Sequence, residues 1–177
     1  MKTICFVRHA TAEDRKKGVS DISRTLVNEG VKEAKNAAKR IKDRVFVNSR
    51  SVIFISSPAN RALETAHIFA RKLNYPESKI LHKDAVYNDS SSKSFFTIIK
   101  EIDEVHDAAV LFGHNPSLSE LTSSLIKGFK FDIPKSGIVI LVFSQNSWKA
   151  IKKQTGILTY FEYPDEKSKK QTNFKRH

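Results

Sequence analysis

The sequence predicts a three-layer α/β/α sandwich with a mostly parallel sheet. Ile4-Cys5-Phe6-Val7 is apolar without alternation, the pattern of a strand covered on both faces. Ser51 to Ile55 and Ala108 to Phe112 repeat it. Between these runs lie stretches whose apolar residues recur at helical spacing, so strands and helices alternate as in a sheet wrapped by helices.

The elements follow in order. The first strand ends in Arg8-His9, and Glu13 to Ser23 is a polar, exposed loop containing Gly18. Thr25 is placed to cap a helix over about Val27 to Asp43, with Val31, Ala34, Ala37, Ala38 and Ile41 on its apolar face. Gly30, in its first turn, suits close packing. After the second strand, Ser57-Pro58 has the cap-then-proline order of a helix start. That helix runs to about Leu73, burying Ala62, Ala66, Phe69 and Leu73, and Asn74-Tyr75-Pro76 stops it. Lys79 to Lys83 reads as a short strand and Tyr87 to Ser92 as a polar loop. Lys93 to about Val105 is predicted helical, with Phe95, Ile98, Ile99 and Ile102 inward. After the third buried strand, Asn115-Pro116 caps and starts a helix to about Lys127. Gly137 to Phe143 and Trp148 to Lys153 read as antiparallel strands joined at Gln145-Asn146. Residues 1–164 form one expected domain. Asp165 to His177 is polar and basic and reads as a disordered tail.

Composition narrows the function. A chain of 177 residues buries roughly 70% of its unfolded surface, enough for a core. No apolar stretch approaches the ~20 residues that span a bilayer, so no membrane role is expected. The first residues have too short an apolar run for a signal peptide. Cys5 is the only cysteine, which excludes an internal disulfide. A cytoplasmic protein is the expectation. The formal net charge of +12 suits acidic partners. The lysines are scattered, without the interleaved aromatics of a single-strand binder, so nucleic acid is not the expected partner. No histidine–carboxylate spacing suggests a metal site, and no cofactor is expected.

Chemistry gathers at strand ends, where open α/β sheets bind ligands. Arg8 and His9 follow the first strand, Ser57 and Arg61 the second, His114 the third. Arginine's planar fork suits phosphate. The helix starts near Pro58 and Pro116 would add N–H groups to the same anion site. Ser57 either caps its helix or donates to that anion.

Val7-Arg8-His9-Ala10-Thr11-Ala12, Ser56-Ser57-Pro58 with Arg61-Ala62 and Glu64-Thr65, and Phe112-Gly113-His114-Asn115 together resemble the histidine phosphatase (phosphoglycerate mutase-like) superfamily. Asp21-Ile22-Ser23-Arg24-Thr25-Leu26 followed by Gly30 is similar to its SixA-type phosphohistidine phosphatase branch. The resemblance covers about residues 1–145; Ala10 departs from a common Gly. It implies a phosphoglycerate mutase-like sheet and a phosphatase using His9 as nucleophile. Arg8, Arg61 and His114 would be the other catalytic and phosphate-binding residues, joined by Ser57. Arg24 either lies near the phosphate, as the branch pattern implies, or simply pairs with Asp21. The second ring nitrogen of His9 needs an acceptor, for which a backbone carbonyl suffices. Glu64 and Thr65 are assigned to helix packing or to orienting Arg61. His67, His82 and His106 are assigned structural roles.

Larger members of the superfamily place a general-acid glutamate after the second helix. Here that region reads Lys83-Asp84-Ala85-Val86-Tyr87-Asn88-Asp89-Ser90, without one. Asp84 or Asp89 could substitute. Lacking an acid suits a good leaving group: imidazole has a reference pKa of ~6.5, whereas an alkoxide is closer to water's ~15.7. The expected substrate is therefore a phosphohistidine-bearing protein, such as a histidine-containing phosphotransfer domain. The alternatives are a small-molecule phosphomonoesterase, or a phosphate- or nucleic-acid-binding module without turnover.

Overall fold

A computed structural model describes residues 1–46, 49–88 and 92–162. Asp89 and the tail from Asp165 onward lie outside the described residues. Six strands, β1 (Lys2–Arg8), β2 (Val52–Ser56), β3 (Leu81–His82), β4 (Ala108–Gly113), β5 (Ile138–Phe143) and β6 (Ile157–Glu162), form one sheet of order β3-β2-β4-β1-β5-β6. β3, β2, β4 and β1 are mutually parallel; β5 pairs antiparallel with β1, and β6 antiparallel with β5. This is the mostly parallel sheet that the unbroken apolar runs imply.

Alternate residues of each central strand feed two cores. Cys5, Val7, Phe54, Val110 and Phe112 pack with α1 (Asn28–Ile41) and α2 (Asn60–Leu73). Ile4, Phe6, Ile55 and Leu111 pack with α4 (Ser92–Lys100) and α5 (Ser117–Leu125) on the other face. A single turn, α3 (Ala85–Asn88), precedes α4. The expected inward residues of α1 and α2 are buried, Val31 only partly.

Several expectations are corrected at element ends. Thr25 does not cap α1: its N–H and hydroxyl both donate to Glu13 Oε2, and the extended residue before the helix is Val27. α2 begins at Asn60, two residues beyond Pro58, because the chain is still extended at Ala59. Asn115 does not cap α5; its side chain donates to Ile133 O and accepts from Ser119. α4 stops at Lys100, short of Val105, and Tyr87 lies in α3 rather than in a loop. Trp148 to Lys153 is not a strand. Trp148 is fully buried, donating its indole N–H to His106 O and its backbone N–H to Glu104. These bonds replace a ladder, and residues 157–162 pair with β5 instead.

Gly30 is fixed by contact. A Cβ there would stand 2.0 Å from the carbonyl oxygen of Thr11, so only glycine lets α1 lie against the loop after β1.

Candidate active site

The motifs meet because three neighbouring strands end together. His9 N–H donates to Gly113 O, Ser57 N–H to Phe112 O and Arg8 N–H to Gly137 O, at 3.0–3.1 Å. Thr65, on α2, receives Ala10 N–H at 3.1 Å and donates to Arg61 O. Glu33, on α1, accepts from Thr11 N–H, Thr11 Oγ1 and Ser136 Oγ. The loop carrying Arg8-His9 is therefore held by both helices of one face. Glu64 accepts Leu26 N–H at 2.7 Å, tying α2 to the segment ahead of α1.

His9 is buried, 8% exposed, with Nδ1 2.8 Å from Ala10 O. A carbonyl can only accept, so Nδ1 carries the proton and Nε2 of the neutral ring keeps its lone pair. Burial, with the charges of Arg61, Arg8 and Arg24 and against the Ala10 carbonyl, pushes the His9 pKa down to about 4. His9 is thus neutral near pH 7.

The His114 ring centroid lies 5.0 Å from that of His9. Its Nε2 is 2.8 Å from Ser57 Oγ, and its Nδ1 has no partner among the described residues. Burial first, then His9 and Arg61, lowers its pKa to about 3. Ser57 itself is fully buried and also accepts Ala59 N–H. The structure brings Ser57 to the site through His114.

Arg8 donates one terminal N–H to Ile133 O, and its Nε has no partner among the described residues. Arg61, 4% exposed, binds Asp21 twice, Nη1 to the backbone oxygen at 2.7 Å and Nη2 to Oδ2 at 2.9 Å; its Nε is likewise unpartnered. Arg24 pairs with Asp21 Oδ1 through Nε and Nη2. It is also close enough to depress the His9 pKa, so the surface pair with Asp21 and the place beside the site are one arrangement.

Asp21 and Tyr87 are the residues that sequence reasoning missed as members of the site. Asp21 accepts from Arg15, Arg24, Arg61 and the Tyr87 hydroxyl. Burial alone would raise its pKa; the hydrogen bonds and charges of Arg24 and Arg61 outweigh that and hold it well below the usual carboxylate range. The one signal in the sequence was its position three residues before Arg24. Tyr87 stands edge-on to His114, with its pKa raised by burial and by Asp21. Together with Arg15, Arg61, His114 and Ser117 these residues line a cleft of about 420 Å³. Asp84 is exposed and does not line it. His67 pairs with Glu77 and His106 with Ser51, both apart from the cleft.

A buried neutral imidazole with a free lone pair, beside two arginines and a second histidine, is equipped for nucleophilic attack on an anion. The histidine phosphatase superfamily (branch 1) pattern matches residues 4–85. No curated protein sequence matches the chain. Among solved structures, a candidate phosphohistidine phosphatase SixA from Agrobacterium tumefaciens superposes with TM-score 0.74 at 25% identity, covering 92% of this chain and 98% of its own. The protein histidine phosphatase SixA complexed with tungstate gives 0.74 at 20% identity, covering 92% and 97%. A phosphoserine phosphatase from Entamoeba histolytica gives 0.61 at 17%, covering 92% and 98%; it shares the fold. Residues 4–85 match the histidine phosphatase superfamily and the fold is shared with SixA structures, which together indicate a phosphatase.

Proposed function

We propose that this chain is a phosphohistidine phosphatase acting through a covalent phosphohistidine on His9. His9 Nε2 attacks phosphorus; the substrate ring, protonated on its other nitrogen, leaves with the bonding electrons as neutral imidazole. Water then attacks the phosphorylated His9, releasing inorganic phosphate and restoring the ring. Arg8, Arg61 and His114 hold the transferring oxygens, and the unpartnered Arg8 Nε, Arg61 Nε and His114 Nδ1 support that role. Arg24 adds positive charge from the rim.

The observation that carries the substrate class is the state of the cleft's carboxyl. Among the described lining residues that group is Asp21, and two arginines keep it ionised. An ionised carboxylate cannot deliver a proton to an alkoxide, whereas imidazole leaves with little help. The expected partner is an acidic phosphohistidine-bearing protein met in the cytoplasm by a chain of net charge +12.

A small-molecule phosphomonoesterase is the second reading, and Tyr87 is its support. Its hydroxyl reaches the cleft, but a raised pKa matches a general acid poorly at pH 7. The test presents phosphohistidine protein, phosphoramidate and sugar phosphates side by side, with acid quenching omitted and the phosphoenzyme trapped in base. Fast turnover of the first two, with base-stable label on His9, is expected. Preferred turnover of sugar phosphates that collapses in Tyr87→Phe would establish the second reading.

A further inference from the structure

We propose that Asp21 is a positioning residue, the internal counter-ion that lets Arg61 and Arg24 stand together at one anion site. The proposal rests on the reading of this cleft as a phosphate site. It does not depend on which phosphorylated compound enters.

Two guanidiniums side by side repel, and Arg24 disfavours the charge of Arg61. Both are largely buried, at 5% and 15% side-chain exposure, where water screens the repulsion little. Asp21 answers both. Oδ1 takes Nε and Nη2 of Arg24 at 3.0 and 2.8 Å, and Oδ2 takes Nη2 of Arg61 at 2.9 Å. The Asp21 backbone oxygen takes Arg61 Nη1 at 2.7 Å. Arg61 is thus gripped through one donor on each terminal nitrogen. A guanidinium has five N–H donors, so three remain for an anion, and their direction is set by the grip. The Tyr87 hydroxyl donates to Oδ2 at 3.2 Å and fixes the carboxylate from the opposite wall. Asn60 adds a tether, donating from its side chain to Ser23 O at 3.0 Å. The 310 turn that carries Asp21 is therefore docked on the start of α2, next to Arg61.

Asp21 thereby joins three separate chain segments at one carboxylate. The alternative role for an acid among arginines is competition: an internal anion that must be displaced by phosphate. The two roles give opposite results. If Asp21 positions, removing its charge weakens anion binding. If it competes, removal tightens it.

The experiment measures inorganic phosphate binding by calorimetry and kcat/KM on phosphoramidate, for Asp21→Asn, Arg61→Ala and the double variant. Thermal melting confirms that each is folded. Asp21→Asn is expected to weaken phosphate binding and lower kcat/KM about 10- to 100-fold, as displaced binding groups do. In the Arg61→Ala background the same substitution should cost less than about 3-fold, since the grip then has little left to hold. Tighter phosphate binding in Asp21→Asn overturns the proposal in favour of competition. Equal losses in both backgrounds overturn it in favour of a role independent of Arg61. Wild-type protein that does not bind phosphate removes the site and the proposal with it. Phosphate binding with no turnover of phosphohistidine contradicts only the substrate reading.

Discussion

At the scale of single residues, the Ala10 carbonyl decides the most. By occupying Nδ1 of His9 it leaves Nε2 with the free lone pair, and burial keeps that atom unprotonated. His9→Ala should abolish turnover, while His114→Ala should lose about 10²–10³-fold, as for one stabilising donor; single-turnover rates of the two variants check this. The acid limb of kcat/KM should fall near pH 4, where His9 protonates, rather than near pH 6.5. Stability carries the same signature. Between the unfolded value of 6.5 and the folded values of about 4 and about 3, the unfolded chain binds protons on His9 and His114 that the folded chain does not. Their contribution is therefore full above pH 6.5 and is lost as pH falls toward 4. Urea midpoints from pH 7 to 4 measure it, and His9→Asn should make the decline shallower. Of these features the sequence displayed the residue types, because Arg-His after an apolar run is legible chemistry. It could not display the Ala10 contact or the Asp21 hub, since backbone direction and pairing between distant loops leave no local pattern.

At the scale of elements, the seam between α1 and the loop after β1 holds the His9 loop in place. Gly30→Ala should destabilise by about 1–3 kcal/mol through overpacking, although alanine favours a helix by about 1 kcal/mol; denaturant midpoints decide which effect wins. The contact at 2.0 Å with Thr11 O says the clash does. Trp148→Ala should cost about 3–5 kcal/mol as a core truncation, even though Trp148 belongs to no strand. That element was the sequence reading's clearest error. Trp148 and Ile151 are both fully buried, and their apolar character suggested a strand. The actual β6 has no fully buried residue and borders only β5, so its pattern is weak. Cap assignments at Thr25 and Asn115 failed for one reason: both side chains had stronger partners across the fold, Glu13 for one and Ile133 and Ser119 for the other.

At the scale of the whole molecule, the sheet order explains why the site exists. β4 lies between β1 and β2, so the three strands that end in Arg8-His9, Ser57 and His114 are neighbours and their carboxyl ends form one crevice. The fold class was legible because those strands are buried on both faces and read as continuous apolar runs. The proposed substrate class turns on whether an acid serves the leaving group at the mouth of the crevice, and the leaving-group dependence of kcat/KM tests this most directly. The series runs from phosphohistidine and phosphoramidate through aryl to alkyl phosphates, for wild type, Asp84→Asn and Asp89→Asn. A steep fall is expected across the series, with alkyl esters disadvantaged by the about 10²–10⁴-fold that general-acid catalysis supplies elsewhere, and both variants are expected to match wild type on phosphohistidine. A flat series, together with a large loss in Asp84→Asn or Asp89→Asn, would contradict the account and make the enzyme a phosphomonoesterase.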